Sequence, residues 1–240
     1  MPPTQAVPAT NRLLAALPRK DRQHLLASCE PVELMLADIL GNPGDPIRYV
    51  YFPTDSVVSS VMPIDGGAGL EVRLIGNEGM LGSSAMLGIE LLPLRARVQE
   101  TGSALRIKVP ELQRVVIETP NLRRQLLLYF SSVLAQLGQT AACAVFHVVE
   151  ARIAYWLLMT HDRSGGDRFM LTHDVLAHML GVRRSGVTTA AGLLQARDLI
   201  SYTRGHVSIL DREGLEQAAC DCYWTVSGTL RPVQPCAVSR

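Results

Sequence analysis

The sequence of 240 residues has almost no net charge, with 23 Lys and Arg against 22 Asp and Glu. A chain-wide basic coat for nucleic acid is therefore excluded, and any basic footprint must be local. No apolar run approaches about 18 residues, so no membrane span is expected. The opening MPPTQAVPATN has no apolar core segment and reads as a loose tail, not a signal peptide. Paired cysteines are also lacking. Cys29, Cys143, Cys220, Cys222 and Cys236 are odd in number and widely spread. That pattern fits reduced thiols in a cytoplasm better than a disulfide framework. Cys220 and Cys222 have no second Cys or His pair near them in sequence, so no metal site is expected. Cys29 stands alone at the N-terminal end and cannot by itself hold an iron–sulfur cluster. Residues 32–109 contain no His at all, which removes the clustered His and carboxylate ligands of a metalloenzyme built on a β-roll. There is no Ser/His/Asp arrangement with a nucleophile motif, no P-loop and no internal repeat. The chain is not read as an enzyme.

What is present concentrates between Leu171 and Leu194, LTHDVLAHMLGVRRSGVTTAAGLL. Val175, Leu176, Met179 and Leu180 fall at helical spacing, with Thr172 placed to cap and Gly181 placed to stop the helix. A second helix begins near Arg183 and turns Val187, Ala190, Ala191 and Leu194 inward. Small Ala177, then Gly181, then Val187 and Ala190 give the spacing of a helix-turn-helix. In that motif the start of the second helix enters the DNA major groove. Here it offers Arg183, Arg184, Ser185, Thr188 and Thr189. Arg can bond a guanine edge bidentately, and Ser or Thr can bond a base or a phosphate. Leu199–Tyr202 and His206–Leu210 then alternate like two strands around Arg204-Gly205, a small wing. Arg197, Arg204 and His206 are placed there to reach phosphates, and the expected DNA-contacting set is Thr172, Arg183, Arg184, Ser185, Thr188, Thr189 and Arg204.

Before this unit the chain changes character twice. From Asn11 to Ala27 it is helical, with a break at Pro18. From Val32 to Val109, turns such as GNPGDP, PTDS, DGGAG and GNEG punctuate short apolar runs about ten residues apart, which predicts an antiparallel jelly-roll sandwich or barrel. Pro110 starts one helix and Pro120 a long one. In the long helix Leu122, Leu126, Phe130, Val133, Leu137, Ala141 and Ala144 step by threes and fours. That is a heptad-like seam for self-pairing, with Leu127, Leu128 and Leu134 left to pack on the chain's own domain. The fold class is thus α+β: a β-roll over 11–118, a dimerisation helix over 119–145, a winged helix-turn-helix over 146–222, and loose tails at 1–10 and 225–240.

This order of parts resembles the Crp/Fnr family of bacterial transcription regulators over about residues 11–222. The most specific matches are FHVVEARIAYWLL (146–158), LTHDVLAHMLGVRRSGVTTAAGLLQARDLI (171–200) and the wing up to Leu210. The resemblance implies a homodimer on double-stranded DNA, a roll that senses a small-molecule or redox signal, and RNA polymerase as a further partner. Carried over by position, Arg184 and Ser185 match base-reading positions, and Thr189 occupies a third that is Arg in cyclic-AMP-responsive members. Those members carry Gly-Glu-Leu and then an Arg-Ser or Arg-Thr pair in the roll. Here the comparable stretch is GNEGMLGSSAMLGIELLPLRARV (76–98), which has no Gly-Glu-Leu. Aligned without gaps, the Arg-Ser pair falls on Leu92-Pro93, and neither residue binds a phosphate. With a gap, Arg95 substitutes, and Glu78, Gly82, Ser83 and Ser84 complete a candidate effector loop. The same residues also read as a plain turn and solvated strand charges. Cyclic AMP and an iron–sulfur cluster are not expected, and the effector is left open. The alternative from another class is a ligand- or protein-binding scaffold module that does not read DNA sequence.

Overall fold

A computed structural model of the chain describes residues 10–64, 69–164 and 166–229. Two short helices, α1 (Arg12–Ala15) and α2 (Arg19–Leu26), open it. Asn11 explains how they are held. Its Oδ1 accepts from the Leu14 N–H as a helix cap, while its Nδ2 donates to the carbonyls of Pro53 and Gly79. Leu13, Leu14, Leu17 and Leu25 are thereby laid into the core of the roll.

Among the described residues the roll has seven strands: β1 (Glu30–Leu34), β2 (Ile39–Gly41), β3 (Tyr49–Pro53), β4 (Val57–Pro63), β5 (Gly69–Ile75), β6 (Arg95–Glu100) and β7 (Gly102–Lys108). They form two antiparallel sheets, in the orders β1-β7-β3 and β2-β6-β4-β5. Leu34 and Ala104 from the first meet Val58, Ile75, Ala96 and Val98 from the second in a core between the sheets. The jelly-roll-like expectation holds. The edge strands β1 and β2 were not foreseen, because most of their residues face solvent and leave too short an alternation to read.

α3 (Val109–Glu118) and α4 (Pro120–Phe146) each carry Pro in the first turn, where its missing N–H costs nothing. α5 (Val149–His161), α6 (His173–Leu180) and α7 (Arg184–Ala196) follow. A three-stranded sheet, β8 (Arg168–Met170), β10 (His206–Ile209) and β9 (Ile200–Thr203), forms the wing. β8 was not foreseen, since its pairing with β10 is set by residues far along the chain. α8 (Arg212–Ala218) and α9 (Cys222–Thr229) close the described chain, so helix runs past 225, where a loose tail was expected. The rest of the expected tails, 1–9 and 230–240, lies outside the described residues.

α4 corrects the sequence expectation most. Leu122 and Leu126 are buried with Tyr129 in the core of the roll, and Val133 packs half-buried against them, so Leu122, Leu126 and Val133 of the foreseen seam are turned inward, while Phe130 and Leu137 are half-buried and Ala141 and Ala144 exposed. Leu127 and Leu134, expected to serve that packing, are 57% and 70% exposed instead. The outward line reads Leu127, Ser131, Leu134, Gly138, Ala141 and Val145, all exposed and spaced alternately by four and three. The helix is apolar on nearly every face, so its periodicity offers two seams, and only long-range packing chooses between them. Contrary to expectation, α4 is also long and apolar enough, by length and composition, to cross a membrane. Its first turns are built into the roll, however, and Cys143 near its end belongs to the core of the C-terminal domain.

Candidate nucleic-acid interface

The helix-turn-helix is held by contacts that each fix one geometric variable. Thr172 Oγ1 accepts from the Val175 N–H at 3.2 Å and sets where α6 begins. Gly181 ends it in the left-handed region at φ 63, with the Val182 N–H reaching back to the Ala177 carbonyl at 3.0 Å. Arg152 of α5, itself buried, donates to the Leu180 carbonyl at 2.5 Å and satisfies one of the free acceptors at that helix end. Leu176, Val187, Ala190 and Leu194 pack with Ile153, Leu157 and Leu158, which seats α6 and α7 on α5.

That packing leaves one face of α7 to solvent. Arg183, Arg184, Ser185, Thr188 and Thr189 are all exposed, on the first two turns of the helix and its cap. Arg184 Nε lies 3.2 Å from Asp174 in the first turn of α6, both side chains being more than half exposed. An ion pair so placed contributes little and exchanges readily for another partner. Thr189 donates its hydroxyl to the Ser185 carbonyl, keeping lone pairs outward. Thr188 is more occupied. It donates to the Arg184 carbonyl and lies 3.0 Å from His173 Nδ1, so the imidazole must supply the hydrogen. Burial, then Arg184, pushes the His173 pKa down, which suits that neutral ring, tilted against Tyr202 at 4.4 Å between ring centroids.

The wing turn is built for its two residues. Arg204 and Gly205 both have positive φ, 51 and 80, between the paired Thr203 and His206. That is the two-residue hairpin geometry that follows strand twist. The turn leaves Arg204 exposed and is tied to the start of α6 by the Leu171 N–H donating to the Gly205 carbonyl at 2.8 Å. Six of the seven expected DNA-facing residues thus lie exposed on α7, its cap or the wing; the seventh, Thr172, is half-buried and serves as a cap. His173, Asp174 and Arg152 were missed. Their parts depend on partners in other helices, and nothing in their local spacing marks them.

The expected effector loop does not assemble. Glu78 forms an ion pair with Arg163 at 3.0 Å, the two side chains only 5% and 2% exposed. Gly82 borders one cavity of roughly 370 Å³, with Ile47, Tyr51 and Leu92. Arg95 borders another of roughly 540 Å³, between the roll and α6. Ser83 and Ser84 are half-buried in a 3-10 turn (Ser83–Leu87). The physical reason is Glu78, whose carboxylate is drawn to a cation 85 residues away in sequence.

A family described as Crp-like helix-turn-helix domain matches residues 151–218. The curated transcriptional regulator SdrP of Thermus thermophilus is 26% identical over 199 residues, covering 79% of this chain and 94% of that protein. Among solved structures, a Crp/Fnr-family transcriptional regulator from Thermus thermophilus aligns with a TM-score of 0.65 at 24% identity, over 79% of this chain and 98% of that one. FixK2 from Bradyrhizobium japonicum aligns with a TM-score of 0.66 at 15% identity, over 80% and 98%.

Proposed function

We propose that this chain, whose residues 151–218 match the Crp-like helix-turn-helix domain family, is a Crp/Fnr-type transcription regulator that works as a homodimer, reads a two-fold DNA site through α7 and takes a signal through its roll. The observation that carries the reading is the free face of α7, with Arg183, Arg184, Ser185 and Thr189 outward on a tightly held helix-turn-helix. Arg184 and Ser185 read base edges, while Arg183 and Arg204 hold phosphate. The dimer forms along the exposed line of Leu127, Leu134, Ala141 and Val145, because an apolar stripe of that length in water calls for a second copy. Two-fold symmetry along α4 then matches the symmetry of paired half-sites. The protein acts in the cytoplasm, with RNA polymerase as a further partner.

The signal is not a cyclic nucleotide in this reading. Leu92-Pro93 stand where the family's phosphate-binding pair falls, and Leu92 packs so close to Gly41 that a Cβ there would meet its Cδ1. The cavity at Arg95 suits an effector better. Glu71, Arg97 and Gln99 line it from the roll, and Val175, His178 and Met179 from α6. An occupant would bias how the DNA-binding domain sits on the roll.

The test is selection of bound duplexes from a random pool by the purified chain, followed by the same selection with Arg184→Ala. A two-fold-symmetric consensus is expected. The variant is expected to lose about 1–3 kcal/mol at that consensus by relaxing the preference at one position of each half-site. Equal loss on all sequences would demote Arg184 to a phosphate contact. No enrichment, with or without cell extract, would favour the scaffold reading.

A further inference from the structure

The fold brings together four metal-ligating side chains that the sequence keeps far apart. Cys143 and His147 lie one helical turn apart at the end of α4, and Cys220 and Cys222 lie just before and at the start of α9. Their ligand atoms all stand within 4.8 Å of one another. Cys143 Sγ is 3.5 Å from Cys220 Sγ, and Cys222 Sγ is 3.3 Å from His147 Nδ1. All three cysteines are buried. Around a tetrahedral zinc ion, ligands at about 2.3 Å for sulfur and 2.0–2.1 Å for nitrogen stand roughly 3.5–3.8 Å from each other. Two edges of the cluster are already near that value, so the rest needs only a small contraction.

We propose that Cys143, His147, Cys220 and Cys222 form a closed Cys3His site for a divalent zinc-type ion. The donor set selects the ion: three thiolates and an imidazole suit zinc, whereas calcium and magnesium take oxygen ligands. Each thiol gives its proton to solvent as its sulfur bonds the metal, and His147 ligates through neutral Nδ1. Gln139, one turn before Cys143, directs its Nε2–H to Cys222 Sγ at 2.9 Å. An amide donor so placed supports a sulfur that carries negative charge. A disulfide between Cys143 and Cys220 accounts for two of the four groups and leaves Cys222, His147 and Gln139 without a common purpose. The site joins the end of α4, His147 just after it, and α9, so the metal fixes the DNA-binding domain to the helix that precedes it. It stands on the geometry of the four side chains and does not depend on which DNA is read.

The experiment uses the full chain carrying Cys29→Ser and Cys236→Ser, which removes the thiols outside the cluster. The reduced protein is loaded with Co2+ as a spectroscopic probe and, separately, with Zn2+. One cobalt per chain is expected, with the intense visible bands of a tetrahedral ion and thiolate charge transfer in the near ultraviolet. Zn2+ is expected to displace it and to raise the melting temperature. Cys222→Ser should abolish the thiolate spectrum. Gln139→Leu should keep it while weakening Zn2+ binding about ten- to a hundredfold. The unsubstituted cluster gives the signature by itself, so a poorly folding variant does not decide the matter. Absence of stoichiometric cobalt on the reduced chain would overturn the site. So would an unchanged spectrum in Cys222→Ser, or a native mass showing a Cys143–Cys220 disulfide and no metal after purification with Zn2+.

Discussion

The helix-turn-helix and the seam between its domain and the roll are neighbours held by opposite kinds of contact. Inside the motif, the contacts that set where α6 starts and stops are short in sequence: Thr172 to Val175 and Val182 to Ala177. Across the seam they are long in sequence and carried by side chains. Arg163 of the turn after α5 pairs with Glu78 of the roll, Val57 and Leu74 join the core of the C-terminal domain, and Gly181 faces Leu70. Many small local contacts make a motif that survives single changes. A few buried long-range contacts make a seam that one change can break, and a seam of that kind can pass a signal from one domain to the other.

The largest expected effect is therefore at Arg163. Its replacement by Met leaves the Glu78 carboxylate buried without its counter-charge, at a cost of about 3–5 kcal/mol of unfolding free energy, read by denaturant titration. The double variant Glu78→Leu/Arg163→Met should recover much of that loss, because no charge is then left unpaired. A loss in the double variant equal to the sum of the single ones would mean that the pair contributes nothing as a pair.

Glu71 tests the same seam through pH. It lines the cavity facing α6, and Gln99 Nε2 donates to its Oε2 at 2.9 Å. Oε1 has no hydrogen-bond partner among the described residues. Burial pushes its carboxyl up to about 8 from an ordinary 4.5, against the lowering pull of hydrogen bonds from Ser59 and Gln99. The folded chain thus holds a proton that the unfolded chain releases. The resulting stability is full below about pH 4.5 and is lost as pH rises through about 8. Glu71→Gln should remove that slope and be the more stable form at pH 8, by up to a few kcal/mol. Parallel stability curves for the two proteins from acid to pH 8 would place the titration elsewhere.

α4 sharpens the comparison, because it belongs to both regimes along one helix. Leu134→Glu on the exposed line is expected to weaken self-association at least about tenfold, roughly 1.4 kcal/mol, while leaving the melting of the roll unchanged. Leu126→Glu should instead unfold the roll, since Leu126 is buried there. Sedimentation and thermal melting separate the two. An unchanged mass for Leu134→Glu would remove the exposed stripe from the dimer.

The same division explains what the sequence made legible. The helix pair, its cap at Thr172, its stop at Gly181 and the turn at Arg204-Gly205 each follow from residues within a few positions, and each was readable. The seven-stranded roll was readable as a rhythm of turns, without β1 and β2. The inward face of α4, the Glu78–Arg163 pair and the meeting of Cys143 and His147 with Cys220 and Cys222 were not. Each depends on which distant element arrives, and neither helical period nor cysteine spacing encodes that.

The smallest expected effect lies within the motif. Thr172 was expected at the DNA interface, yet its hydroxyl oxygen accepts from the Val175 N–H and its Cγ2 lies beside the wing turn at Gly205. Thr172→Ala should therefore cost about 1 kcal/mol of stability, the ordinary worth of a helix cap. Thr172→Ser, which keeps the acceptor, should restore most of it. A Ser variant as unstable as Ala would shift the contribution from the cap to the methyl against Gly205. DNA affinity measured well below the melting temperature should be unaffected by either change. A loss of affinity out of proportion to the loss of stability would return Thr172 to the phosphate-contacting set, and would show that the cap and the interface share one hydroxyl.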